Sequence, residues 1–376
     1  MQLLHCELED FRSYPRARVD LHPRANLLLG PNGMGKTNFL EAVYLLGTAS
    51  ALRGHRTADL IREGKEAARV SGRVAHRQGS PVVLSVEISP LGRRLLLHEK
   101  PAASAAEYFG HLEVVAFTPA DIQLFGGPPK DRRRFLDRVI FNHAPSYLDT
   151  ARRLRRSLEQ RNRLLEGIAE GRASEGELEA WDEGYAALAA EVTRKRSEAA
   201  GLLRKSLQNI YDEIFTKPGV PEELVDMHYR SEIALIEGGE VSAEKVLPWL
   251  AGKRRGDVRR RSTQLGPHRD DILFTLAGRP AGTHASQGQK RSLMLALKLA
   301  EVHSLAERRP EPPVVLLDDL SSELDERRTR KVIAYLSGLG SQLLVTSTAE
   351  GAWAGVFGGE IARFEVGQGR IDPLIV

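Results

Sequence analysis

The sequence predicts an α/β fold in which a parallel core sheet carries an antiparallel subsheet and is interrupted by a helical insertion forming a short arm; three observations predict it. First, the run Asn26-Leu27-Leu28-Leu29 ends in a glycine-rich turn that leads into a helix-spaced segment, Asn38 to Leu46. Second, Val314 to Leu317 is a short, wholly apolar run of the kind buried on both faces of a parallel sheet, and Gln342 to Val345 reads as another. Third, from Asp131 to about Tyr211 the texture changes to Arg, Glu, Leu and Ala, with few prolines and apolar residues three and four apart.

The chain opens with strand-like alternation, Leu4, Cys6 and Leu8 on one side, and Val19 and Leu21 resume it after Pro15. The first helix places Leu40, Val43 and Leu46 on one face before Gly47 stops it. Pro81 to Ile88, Arg93 to His98 and Leu112 to Phe117 read as strands of a small antiparallel layer, separated by turn-forming Ser, Pro and Gly. The helical arm follows, a hairpin on the simplest account, and Pro218, Pro221 and Pro248 punctuate the return from it. Asp271 to Leu276 is then a strand leading through a glycine turn to another helix. These elements divide the chain into a first lobe with the glycine-rich turn at 1–130, a helical arm and second-lobe insertion at 131–250, and a second lobe returning to the core at 251–376.

Hydrophobic residues make up 41% of the chain, enough for a sizeable core. Against 50 Asp+Glu stand 54 Lys+Arg, a net charge of only +4, so attraction to a polyanion must come from how the cations are placed. One cysteine, Cys6, excludes an intrachain disulfide and fits a reducing compartment. Met1-Gln2-Leu3-Leu4-His5 lacks the basic start and apolar run of a secretory signal, and cytoplasmic residence is the expectation. Glu41 and Lys298 interrupt the most apolar helical stretches, which fall short of the roughly 20 residues that cross a bilayer.

Gly30-Pro31-Asn32-Gly33-Met34-Gly35-Lys36-Thr37 has the spacing of a phosphate-binding P-loop, between the strand and the helix that such a loop needs. Its glycines let backbone N–H groups turn inward on a polyphosphate at the positive end of the helix. Lys36 supplies a point charge for the β- and γ-phosphates of ATP, and the Thr37 hydroxyl is placed to ligate Mg²⁺. A glycine turn that merely happens to contain Lys-Thr is the bland alternative, and the flanking elements leave little room for it. The strand Val314 to Leu317 ends in Asp318-Asp319. Asp318 stands where a P-loop fold holds the metal's water shell, and Asp319 where a carboxylate orients or deprotonates the attacking water. Alone, two acids after a strand often cap the next helix.

Ala285-Ser286-Gln287-Gly288-Gln289 precedes an amphipathic helix with Leu293, Leu297 and Ala300 on one side, and Ser286 is a credible N-cap. Its place upstream of the acidic strand resembles the signature motif of ABC ATPases, usually Leu-Ser-Gly-Gly-Gln. That resemblance implies that Ser286, Gln287, Gly288 and Gln289 seal the γ-phosphate held by a second copy, so that ATP joins two heads. Ser321-Ser322-Glu323-Leu324-Asp325 resembles the D-loop, with Ser322 and Asp325 as cross-dimer contacts; a capped helix start is the compatible bland reading. Gln123 is a candidate Q-loop residue or a solvated loop amide. Many relatives carry glutamate where Asp319 stands, and the shorter side chain implies slow turnover. Thr346-Ser347-Thr348 occupies the region of the usual switch histidine, so a γ-phosphate sensor there would be a hydroxyl.

Within that class the halves of the ATPase lie too close in sequence for the long coiled coil of SMC proteins. Asp10-Phe11-Arg12-Ser13-Tyr14, Leu60-Ile61-Arg62-Glu63-Gly64, Phe117-Thr118-Pro119-Ala120-Asp121, Gly127-Pro128-Pro129 with Arg132-Arg133-Arg134-Phe135-Leu136-Asp137, and Gly266-Pro267-His268-Arg269-Asp270-Asp271 resemble the RecF family, and the likeness covers essentially the whole chain. It implies that Arg12 and Ser13 approach nucleotide phosphates, although an arginine beside strands is as readily a surface charge. The last stretch offers a tight Gly-Pro turn and paired charges but no chemistry of its own. Also implied are an ATP-dependent homodimer on duplex DNA at single-strand gaps, and partners RecR, RecO and RecA in repair, replication restart and the SOS response.

Cations crowd two stretches: Arg132, Arg133, Arg134, Arg138, Arg152, Arg153, Arg155, Arg156, Arg161 and Arg163 in the first, Lys253-Arg254-Arg255 and Arg259-Arg260-Arg261 in the second. Such clusters give salt-dependent, sequence-independent affinity for nucleic acid. A solvated helix face is the commoner meaning of a charged run, and the RecF resemblance favours DNA. Two rivals share the ATP chemistry. A transporter's nucleotide-binding subunit is disfavoured by the missing switch histidine, the arm and the arginines; a small-molecule kinase would leave the signature and D-loop without purpose.

Overall fold

The structure is a computed structural model that describes every residue except 53–56, 217–222, 237–240, 310, 321–323, 351–352, 354, 358–360 and 375–376. β1 (Gln2–Phe11) and β2 (Tyr14–Asp20) form an antiparallel hairpin. At its start Leu3, with Cys6 and Leu8, is buried, where simple alternation selects Leu4. The cause is a register shift between Leu3 and His5: the Leu3 N–H donates to the Gln342 side chain at 2.8 Å, and Gln342 donates back to the Leu3 carbonyl at 3.0 Å.

β3 (Ala25–Leu29) is buried throughout and feeds the turn that opens α1 (Lys36–Thr48). β4 (Ala68–Ala75), β5 (Val82–Ser89), β6 (Gly92–Leu97) and β7 (Lys100–Pro101) complete a six-stranded antiparallel sheet, order β2-β1-β4-β5-β6-β7. After a short helix, α2 (Ala105–Tyr108), comes β8 (Val114–Phe117). The expectation that this third strand joins the antiparallel layer is wrong: β8 pairs in parallel with Val314–Leu317 at the edge of the other sheet. Its four residues are all buried, the pattern of a strand covered on both faces.

α3 (Gln123–Gly126) precedes the expected helical stretch, which holds α4 (Pro129–His143), α5 (Tyr147–Ala169) and α6 (Glu177–Phe215). β9 (Val225–Arg230), α7 (Ala243–Arg260), β10 (Asp271–Leu276), β11 (Arg279–Pro280) and α8 (Ala281–His284) follow, with a three-stranded antiparallel sheet in the order β11-β10-β9. Pro248 lies inside α7 and does not interrupt it, while Pro218 and Pro221 fall outside the described residues. α9 (Gln287–Arg308), β12 (Val314–Leu317), α10 (Glu326–Gly338), β13 (Leu343–Ser347), β14 (Ala362–Gly367) and β15 (Arg370–Pro373) finish the chain.

The core sheet has the order β15-β14-β3-β13-β12-β8, parallel from β14 to β8. This is the predicted α/β architecture of a P-loop ATPase head. Two units result: Met1–Ile122, Asn209–Glu222 and Gln287–Val376 in the first, Gln123–Gln208 and Glu223–Ser286 in the second. The divisions therefore fall eight residues before the expected 130/131 boundary and well after 250/251, because α3 and the β9–β11 sheet belong with the helices. The helical stretch is accordingly part of an α+β unit with its own sheet, beyond a bare hairpin. Among the described residues no helix is long and apolar enough to cross a membrane.

Candidate functional site

The phosphate loop is shaped by three glycines in the left-handed half of backbone space, Gly30 (φ 156°), Gly33 (φ 81°) and Gly35 (φ 107°). A Cβ on Gly35 would also lie 2.7 Å from the Ser13 hydroxyl and 3.0 Å from that of Tyr14, which donates to the Gly35 carbonyl at 2.9 Å. The Ser13 hydroxyl in turn accepts from the Asn38 amide at 3.0 Å. Ser13 and Tyr14 thus brace the loop from behind. Arg12 turns elsewhere: its guanidinium donates to Glu41 on α1 at 2.9 Å and to the Asp59 carbonyl at 2.8 Å. Its carboxylate partner, Glu41, is buried.

Lys36 is 7% exposed, and its ammonium donates to the carbonyls of Gly30 and Pro31, the latter at 2.8 Å. Burial lowers its pKa, while Asp319 and Asp318 pull it back up. β12 delivers Asp318 opposite the loop, and the Thr37 hydroxyl donates to its Oδ1 at 2.8 Å across 281 residues of sequence. The predicted metal pair is therefore one hydrogen-bonded unit, two hard oxygen donors side by side. Thr346, at the end of β13, donates to the same oxygen at 2.9 Å and accepts from the Asp319 N–H at 2.9 Å. Asp319 itself adopts φ 52°. A cleft of about 290 Å³ is lined by Asn32, Gly33, Gly35, Lys36, Thr37, Asn38, Pro119, Asp318, Asp319 and Thr346. Pro119 and Asn38 escaped the sequence reading; only the neighbouring motif stretches hint at them.

The signature residues Ser286, Gln287 and Gly288 are exposed where α9 begins, with Gln289 half-buried behind them. Exposure is what a surface meant for a second molecule requires. Of the D-loop residues, Ser321, Ser322 and Glu323 lie outside the described residues; Asp325 caps α10, accepting from the Arg328 N–H at 2.8 Å. Gln123 is exposed and opens α3. The region of the switch histidine contributes Thr346, whose hydroxyl accepts from the Asp319 N–H and donates to Asp318.

The arginine clusters divide sharply. Arg132 makes a two-pronged pair with Asp271 at 2.6 and 2.9 Å and also donates to the Gly127 carbonyl at 2.7 Å. Arg133 donates to the Asp270 carbonyl at 2.7 Å, and burial lowers its pKa. Arg161, 0% exposed, joins Asp182, Asp257 and Thr263 at 2.8 Å each. Arg254 pairs with Asp182 and Glu179, and Lys253 with Glu232. Arg132, Arg133 and Arg254 are thus engaged by acids or carbonyls of the protein itself, and Lys253 by a half-exposed surface pair. By contrast Arg152, Arg153, Arg155 and Arg156 are exposed on α5, Arg155 pairing only with Glu159 one turn on, and Arg134 and Arg255 are exposed as well.

The stretch Gly266 to Asp271 now has a mechanism. Gly266 (φ 148°) passes so close to Tyr185 that a Cβ would lie 1.8 Å from its hydroxyl. The Pro267 carbonyl accepts from Arg196 at 2.6 Å, and Arg196 pairs with Asp137 at 2.8 Å. Asp270 accepts from the Tyr229 hydroxyl, with burial raising its pKa. The stretches around Arg132 and around Gly266 are thus joined by Arg132–Asp271, Arg133–Asp270 and Arg196, which bridges Asp137 and Pro267.

Residues 2–356 match the family described as the RecF/RecN/SMC N terminal domain. A DNA replication and repair protein RecF from Anaeromyxobacter sp. (strain Fw109-5) is 38% identical over 376 residues, covering 100% of each chain. The protein of the same name from Myxococcus xanthus (strain DK1622) is 37% identical, covering 96% of this chain and 97% of its own. Among solved structures, the recombination mediator protein RecF-ATP in the RecFOR pathway superposes with a TM-score of 0.89 at 29% identity, covering 100% of this chain and 98% of that one. An Smc head bound to the C-winged helix domain of ScpA, at 16% identity and a TM-score of 0.56, shares the fold.

Proposed function

Because the chain belongs to the RecF family of the RecF/RecN/SMC group, we propose that it is an ATP-dependent DNA-binding repair protein. Two copies close on ATP and hold duplex DNA beside a single-strand gap, and slow, DNA-stimulated hydrolysis opens them. With RecR and RecO it promotes RecA loading, in support of replication restart and the SOS response, in the cytoplasm. One observation carries the reading: the Thr37 hydroxyl and the Asp318 carboxylate meet at 2.8 Å beside Lys36, the arrangement that a nucleotide with its metal requires.

The residues fit both ATP and Mg²⁺. The turn leaves no room for a side chain at Gly35, whose Cβ would meet Ser13 and Tyr14 behind the loop, and the Thr37–Asp318 pair offers hard oxygens alone. When bound, the metal neutralises charge on the β- and γ-phosphates. Lys36 exchanges its two carbonyl partners for phosphate oxygens, its buried ammonium needing no reorganisation of neighbouring carboxylates. Asp319, lining the same cleft, accepts a hydrogen bond from the water that attacks the γ-phosphorus and orients it, as ADP leaves. Ser286 and Gly288 of a second copy close the open side at the N-terminal end of α9. Arg152, Arg153, Arg155 and Arg156 supply phosphate contacts to duplex.

Closure on ATP and closure on DNA favour the same dimer, so each tightens the other by the same factor. Sedimentation of wild type and Lys36→Met with ATP, with and without gapped duplex, tests this. Nucleotide-driven dimers in wild type, lost in the variant, are expected; a wild-type chain that stays monomeric under saturation contradicts the proposal.

A further inference from the structure

Between the two acids at the end of β12, the backbone turns into left-handed space at Asp319 (φ 52°), a conformation that L-residues avoid unless something holds it. Here the Asp319 N–H is received by the Thr346 hydroxyl at 2.9 Å, and the same hydroxyl donates its proton to Asp318 Oδ1 at 2.9 Å. Thr346 is 0% exposed on β13, which lies between β3 and β12 in the core sheet. Its β-branched side chain has little rotational freedom, and its strand is paired on both sides. One hydroxyl thus acts as donor and acceptor at once, and both of its contacts are acids of the site.

We propose that Thr346 is a positioning residue for ATP hydrolysis, clipping Asp319 into the left-handed turn from which its carboxylate meets the attacking water. This rests on the assignment of Asp319 to that water. A threonine here does not read the nucleotide; it sets the angle between the metal-side acid and the water-side acid. Thr37 and Thr346 share Asp318 Oδ1, at 2.8 and 2.9 Å. Thr37 and Asp318 would be the residues to hold a metal, and Thr346 would then remain as the partner that keeps Asp318 and Asp319 in register.

The test uses full-length protein and two readouts. Thr346→Val keeps the shape and removes the hydroxyl, Thr346→Ser keeps the hydroxyl and removes the methyl, and Thr346→Ala removes both. In hydrogen exchange without nucleotide, the Asp319 amide is expected to exchange at least about tenfold faster in the Val and Ala variants and near the wild-type rate in Ser. In steady-state ATPase, kcat is expected to fall about 100-fold in Val and Ala with KM within about threefold, and to be restored in Ser. A Val variant with wild-type exchange and kcat overturns the inference, as does a Ser variant as impaired as Ala. Should Val fail to fold, the Ser and Ala pair decides. A wild-type chain with no turnover contradicts the proposed function instead, and the exchange rates still judge the clip.

Discussion

Lys36 and Arg161 are both basic side chains held inside the protein, and opposite kinds of partner hold them. Lys36 donates to two backbone carbonyls, and the nearby Asp318 takes its hydrogen bonds from two hydroxyls, Thr37 and Thr346. Arg161 meets two carboxylates and a hydroxyl at 2.8 Å, with the Tyr185 ring centred 5.8 Å from its guanidinium carbon. An ion satisfied by neutral dipoles can exchange them for a charged ligand at small cost, whereas an ion matched by buried counter-ions is a fastening whose removal strands those charges. The first unit keeps charge in reserve for a ligand; the second uses it to hold helices and a sheet together.

Replacing Arg161 is the strongest way to break that contrast. Arg161→Met leaves Asp182 with Arg254 alone and Asp257 with the Gln264 N–H, both deep in the second unit. A loss of about 3–5 kcal/mol is expected in denaturant unfolding, with ATP affinity unchanged where the variant remains folded. Unchanged stability would remove the distinction drawn here.

A smaller effect separates the two kinds of arginine on the surface. Changing Arg152, Arg153, Arg155 and Arg156 together to Gln is expected to leave stability within about 1 kcal/mol, because exposed ion pairs contribute little. Their loss should weaken duplex binding and flatten its salt dependence by about one unit of slope per lost phosphate contact. Arg132→Gln should do the reverse, lowering stability through Asp271 while leaving the salt slope alone. Binding titrations across a salt series, beside unfolding curves, distinguish the outcomes.

Much of the nucleotide site was legible because its information is local. The glycine spacing between a strand and a helix, and two acids after a four-residue apolar strand, each reveal their role within about a dozen residues. The sheet to which Val114–Phe117 belongs was not legible, since its partner β12 lies some 200 residues further on and an apolar run has no preferred neighbour. β4 went unread because its outward face is Arg69, Ser71 and Arg73, polar enough to mask the buried Val70 and Val74. The arginine clusters mix matched and exposed cations for a related reason. Arg132 finds Asp271 across 139 positions and Arg161 finds Asp257 across 96, and no run of cations announces which of its members are already matched. The stretch from Gly266 to Asp271 had no reading from sequence because its partners, Tyr185, Arg196 and Tyr229, lie about 40 to 80 residues before it.

In the proposed dimer the cleft is half of a site that a second copy completes. Mixing Lys36→Met with Ser286→Arg tests this most directly, since each variant alone lacks one half while a mixed pair contains one intact cleft facing one intact α9 start. ATP-driven dimers and ATPase absent from either variant should return on mixing, with the ATPase reaching at most about half of the wild-type rate because only one site per mixed dimer is whole. If the mixture stays as inactive as its components while wild type is active, the nucleotide is not shared between copies.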